Sequence, residues 1–126
     1  MTIGFTTIKV KDLTQSENFY QKYLDLNKMR SFSPDENTTI TFLSDEEGNL
    51  LELLEDQSLD HNFFENNSSL VSIGVKVDNL ENIKNNIEQN NIDIKKGPIE
   101  VPSGAKMFFI EDPNGVEIEF IEGFEA

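Results

Sequence analysis

Two glutamates occupy places where a strand should be apolar. Glu52 lies within GNLLELLE, residues 48–55, and Glu119 lies within GVEIEFIE, residues 115–122. Both runs are led by glycine and have the composition of a strand. In the first run Leu50, Glu52 and Leu54 share one face, so Glu52 sits in apolar company. In the second, Glu117, Glu119 and Ile121 share a face opposite Val116, Ile118 and Phe120, and Glu119 also fits the wet side of a strand. An unpaired carboxylate is costly to bury. The chemistry that justifies one is holding a hard cation, moving a proton, or receiving a hydrogen-bond donor or cationic group from a ligand. No cysteine is present, so thiolate metal sites and disulfides are excluded.

The glutamates are 67 residues apart (119 − 52), and the same interval relates FTTIKVKDL, starting at Phe5, to SIGVKVDNL, starting at Ser72 (72 − 5). One offset that superposes two well-separated features indicates a duplicated unit. The first unit predicts a strand at 3–10, a helix at 13–24 and strands at 28–34, 38–44 and 49–55. Thr14 and Glu17 suit a capping box, and Leu13, Ser16, Tyr20 and Leu24, with Phe19 and Tyr23, form the inner helical stripe. The second predicts a strand at 70–77, a helix at 79–90 with Leu80, Ile83 and Ile87 inward, and strands at 92–96, 105–111 and 116–122. Asp112-Pro113-Asn114-Gly115 reads as a hairpin turn. The expected class is therefore α+β: two βαβββ modules, at 1–56 and 70–126, joined by a polar linker at 57–69 within a single domain of 126 residues.

Hydrophobic residues make up 37% of the chain, ten of them phenylalanine, which is enough for a core. No run approaches the roughly 20 apolar residues of a membrane helix, and the N-terminus lacks the pattern of a signal peptide. A soluble, cytoplasmic protein without a membrane partner is expected. The net charge is −14, from 24 acidic and 10 basic residues. Nucleic acid, which demands a basic face, is not an expected partner. Such a field favours solubility and concentrates cationic ligands. No phosphate-binding loop or nucleophile elbow is present; SGAK at 103–106 lacks the necessary spacing.

The stretches IKVKDLTQSENFYQKYLDL, LLELLE, VKVDNL and FFIEDPNGVEIEFIE together resemble the vicinal oxygen chelate superfamily of glyoxalase I, bleomycin-resistance proteins and extradiol dioxygenases. The resemblance spans nearly the whole chain. It implies paired modules whose curved sheets form a half-barrel cup, with metal ligands from the first and last strands of each module in the metal-using members. By position those sites are Phe5, Glu52, Ser72 and Glu119. The glyoxalase-like pattern has histidine, glutamate, histidine or glutamine, and glutamate, so both carboxylates are retained and both nitrogen ligands are replaced. Zn²⁺ and Ni²⁺ favour imidazole or thiolate. A hard divalent cation accepts the oxygen shell of Glu52, Glu119, Ser72 and water.

Three readings follow. The first is a small-molecule binding protein with a degenerate metal site, sequestering a cationic or polar ligand without a metal cofactor, as the resemblance to bleomycin-resistance proteins implies. The second is a divalent-metal-dependent lyase or isomerase of the glyoxalase type, with Glu52 and Glu119 as ligands and catalytic groups. The third is an interaction module with a vestigial cup. A homodimer is expected in all three, because open sheet edges need covering. His61, the only histidine, is expected on the linker surface, with recruitment as a ligand the alternative. Phe63 and Phe64 suit satellite packing, a cap on the cup, or a dimer contact.

Overall fold

After the first strand the chain reaches Asp12, whose side chain accepts a hydrogen bond from the Gln15 amide at 3.0 Å and so starts the first helix. Asn79 does the same with the Asn82 amide at 3.0 Å, one offset of 67 later (79 − 12). In this computed structural model, which describes residues 1–66 and 71–125, the chain divides into two compact units, Met1–Ser68 and Ser69–Ala126. The first contains β1 (Thr6–Lys9), α1 (Leu13–Tyr23), β2 (Asn27–Phe32), β3 (Thr38–Ser44), β4 (Leu50–Asp56) and the short α2 (His61–Asn66). The second contains β5 (Ser72–Val77), α3 (Leu80–Gln89), β6 (Lys96–Glu100), β7 (Lys106–Glu111) and β8 (Glu117–Glu122).

Each unit forms one four-stranded sheet, in the order β1-β4-β3-β2 or β5-β8-β7-β6. In both, the first and last strands pair in parallel and the remaining pairs are antiparallel. Alternation divides each sheet into two faces. Ile8, Leu43, Leu51 and Leu53 lie on the α1 side and are buried; Phe108, Ile110, Ile118 and Phe120 form the equivalent layer under α3. Burying a side chain of this size contributes about 1.5–3 kcal/mol. The opposite face of each sheet carries no helix of its βαβββ unit. It is this helix-free face that holds Glu52 and Glu119.

A second pair of glutamates ties each helix to its sheet. The Glu55 carboxylate accepts from the Leu13 amide at 2.7 Å, and Glu122 accepts from the Leu80 amide at 2.9 Å. Each lies three residues beyond a site glutamate, on the opposite face of the same strand. The β3–β4 and β7–β8 turns also match. Asp45 receives the amides of Glu47 and Asn49, and Asp112 receives those of Asn114 and Val116, at 2.7–3.0 Å. Gly48 and Gly115 close the turns at φ of 87° and 91°, where a side chain would be strained.

Three sequence expectations need correction. Asp12, not Thr14, caps α1, and Glu17 instead bonds Lys28 at 2.7 Å and the Thr41 hydroxyl at 3.2 Å. The first strand is shorter than 3–10, because β1 pairs with β4 only over Thr6–Lys9; Met1 and Ile3 are exposed. The strand expected at 92–96 begins at Lys96. Asn91 turns left-handed at φ 59°, and the Ile92 amide returns to the Ile87 carbonyl at 3.2 Å, so the alternating NIDIK run first closes α3. Within the linker, six residues form the short α2. Residues 67–70, where the second module was expected to begin, lie outside the described residues.

Candidate functional site

Glu52 sits at the middle of β4, opposite Thr7 on β1 and Phe42 on β3. It is only 9% exposed, yet it has a partner: the Thr7 hydroxyl donates to Oε1 at 2.8 Å. Across the sheet the row continues through Phe42 to Arg30 on β2. Phe5, half exposed just before β1, sets its ring edge-on to Phe42 with centroids 5.5 Å apart. Phe32 stacks on Phe42 at 6.4 Å, and the Arg30 guanidinium lies 4.4 Å from the Phe32 centroid. The helix-free face of the first sheet is therefore a carboxylate and hydroxyl pair bordered by three phenylalanines and a cation.

The second sheet repeats the row with different neighbours. Glu119 on β8 lies opposite Gly74 on β5 and Phe109 on β7, and Phe109 pairs with Lys96 on β6. Lys96 Nζ lies 5.1 Å from the Phe109 centroid. Glu119 is half-buried, and no described residue donates a hydrogen bond to it. Ser72 is exposed at the start of β5, opposite Glu117. Each expected pair thus shares a helix-free face, Phe5 with Glu52 and Ser72 with Glu119. The residues directly beside the glutamates are Thr7 and Gly74, which the sequence reading passed over. The offset of 67 was the available signal (74 − 7).

For a transition metal the donors do not fit. A phenyl ring stands at position 5 and a hydroxyl at 72, Glu52 already accepts the Thr7 hydroxyl, and among the described residues no three His, Cys, Asp or Glu side chains gather into a metal-binding group. His61 opens α2, and its side chain lies outside the described residues. Phe63 and Phe64 are half-buried, pack edge-to-face at 5.1 Å and lie beneath Lys9 and Lys11. An open depression of 380 Å³ lies toward the end of β4, lined by Asp35, Glu36, Asn37, Thr38, Asp56 and Ser58. It lacks an apolar wall, and Asp56 is engaged by the Ser58 hydroxyl at 2.6 Å. The glutamate rows are the stronger candidates, because they combine a carboxylate with aromatic surface. Among the described residues no helix is long and apolar enough to cross a membrane.

Comparison with known proteins gives a consistent picture. The sequence profile of the Glyoxalase/Bleomycin resistance protein/Dioxygenase superfamily matches residues 2–120. A lactoylglutathione lyase of Haemophilus influenzae is 31% identical over 128 residues, covering 97% of this chain and 93% of that protein. Among solved structures, a glyoxylase/bleomycin resistance protein/dioxygenase domain from Frankia sp. EAN1pec superposes with a TM-score of 0.80 at 17% identity, covering 100% of this chain and 94% of that one. The fosfomycin resistance protein FosX of Listeria monocytogenes, in complex with Mn(II) and sulfate, gives 0.75 at 16% identity over 98% and 93% of the two chains. At these identities the two structures speak to the fold alone.

Proposed function

Because the chain belongs to the Glyoxalase/Bleomycin resistance protein/Dioxygenase superfamily, we propose that it is a cytoplasmic small-molecule binding protein of that superfamily, with a degenerate metal site and a cationic or polar ligand. The observation that carries this reading is the pairing of retained glutamates with replaced nitrogen ligands. Glu52 and Glu119 hold the last-strand positions, while Phe5 and Ser72 stand where the glyoxalase-like pattern has nitrogen donors. In the first unit the Phe5–Phe42–Phe32 surface is an apolar wall beside the Glu52 carboxylate, and in the second Phe109 lies beside the Glu119 carboxylate. The net charge of −14 adds long-range attraction for cations.

A second reading has its own support. The relative from Haemophilus influenzae is named a lactoylglutathione lyase, and one FosX structure carries Mn(II). A divalent-metal-dependent lyase or isomerase is the enzyme these names suggest, and here it would need an oxygen-rich site drawing on Glu52 and Glu119. Calorimetry with Ni²⁺ and Zn²⁺ separates the two. The parent is expected to show no tight stoichiometric binding. Phe5→His with Ser72→His returns an imidazole to the same face as each glutamate, and the double variant is expected to bind either ion at least about tenfold more tightly. Phe5 is 50% exposed, so its replacement costs less than the roughly 3 kcal/mol of a buried ring. Tight binding by the parent that Glu52→Gln abolishes would favour the enzyme. A folded double variant without gained affinity would remove the superfamily ligand set from this chain.

A further inference from the structure

The two halves treat equivalent glutamates differently. In the first, Thr7 stands directly opposite Glu52 in the parallel β1–β4 pair, and its hydroxyl donates to the carboxylate at 2.8 Å. In the second, Gly74 stands directly opposite Glu119 in the parallel β5–β8 pair. A Cβ built on Gly74 would meet only Glu119 Oε2, at 3.8 Å, with no other heavy atom within 4 Å outside its chain neighbours. Gly74 is not among the residues with positive φ, and Gly97, by contrast, is closed to a side chain by the Met107 carbonyl at 2.8 Å. Neither backbone conformation nor close packing therefore demands glycine at 74. What the glycine does is leave the donor-side approach to Glu119 open.

Resting on the proposed binding function, we propose that Gly74 is a specificity-determining position, and that Glu119 is the ligand-contacting carboxylate, receiving a hydroxyl from a small alcohol in the place where Thr7 serves Glu52. Glu52 is then a fixed carboxylate whose donor is supplied by its own chain. The neighbours of Glu119 select the donor. Lys96 lies over Phe109 in the same row, and Lys76 shares the Gly74 face of β5, two residues along. They offset the carboxylates of Glu119 itself and of Glu117, which shares this face and pairs with Glu111, so an uncharged hydroxyl is accommodated without an added cation. The apolar ring edge of Phe109 and the buried Ile121 beside Glu119 on the same face suit the carbon skeleton of such a ligand.

The test is an amide NMR titration of the full chain with threitol as the hydroxyl probe and ethylammonium as the cationic one. Threitol is expected to produce saturable shifts at the amides of Gly74, Phe109 and Glu119, and ethylammonium none there. Gly74→Thr is expected to recreate the Thr7–Glu52 pair, weakening threitol binding about tenfold or more. The same variant should keep or raise the melting temperature, because threonine suits a strand better than glycine. Thr7→Gly should add a second threitol-responsive set of amides around Glu52. Unchanged threitol binding by Gly74→Thr, or preference for ethylammonium at Glu119, would overturn the inference while leaving the binding function standing. If neither probe shifted any amide on the helix-free face of either sheet, the inference and the binding reading would both fall.

Discussion

Thr7 and Glu52 form a pair in which each group needs the other. A carboxylate 9% exposed loses much of its hydration, and the hydroxyl at 2.8 Å replaces part of it. Thr7→Val keeps the shape and removes the donor, so the folded state should lose roughly 1–3 kcal/mol, with Thr7→Ser recovering most of it. Urea denaturation of the three proteins reads this directly, and equal stability for Thr7→Val would mean that Glu52 finds another donor. Ser72 and Phe5 carry little of the fold by comparison, since both are exposed or half exposed on their faces. That freedom is what makes them substitutable in a metal-restoration experiment.

At the level of elements, the last strand of each module carries a glutamate on each of its two faces. Glu52 and Glu119 point to the helix-free side, while Glu55 and Glu122 bond the first amides of α1 and α3. A carboxylate at a helix N-terminus satisfies an otherwise unpaired donor and complements the helix dipole. Glu55→Ala and Glu122→Ala should each cost about 1–2 kcal/mol, and the double variant should cost their sum, because the sites share no partner. Denaturant midpoints that fail to add would show coupling between them. The β3–β4 turn has an acid-sensitive latch. Burial pushes the Asp45 carboxyl up, but hydrogen bonds from the Asn49 side chain and from the amides of Asn49, Glu47 and Gly48 outweigh this and hold it below its ordinary value of 3.8. With the folded value depressed, the contribution of Asp45 to stability is fully present above its unfolded pKa. It disappears as pH falls through the folded value. The Glu47 and Asn49 amide resonances should therefore move together below about pH 4, and Asp45→Ala should abolish that joint movement.

For the whole molecule, exposed sheet edges are the main unsolved surface within each unit. β1 and β2 are the outer strands of one sheet, and β5 and β6 are those of the other. Such edges expose unpaired backbone groups and invite a partner. A homodimer is the expected state, and light scattering should give about twice the 14.4 kDa chain mass at micromolar concentration. A monomer mass there would show that the edges are tolerated uncovered. The charge of −14 acts at this scale as well: it disfavours nucleic acid and speeds the approach of cations, but it does not choose the group that docks at either glutamate.

The duplication, the α+β class, the order of the elements within each βαβββ module and the two glutamates were legible in the chain because periodicity and a constant offset are properties of sequence. Leu51 and Leu53 alternate with Glu52, and Ile118 and Phe120 with Glu119, so the strand period alone assigns opposite faces. Local competition was harder to read. Asp12 displaced Thr14 as the cap, Ile92 closed a helix before a strand could form, and α2 arose in a segment with no clear stripe. The identity of each glutamate's neighbour required the tertiary structure. Parallel pairing brings residue 7 to residue 52 and residue 74 to residue 119 across long stretches of chain, and only that register shows that one carboxylate is supplied with a hydroxyl while the other faces a glycine.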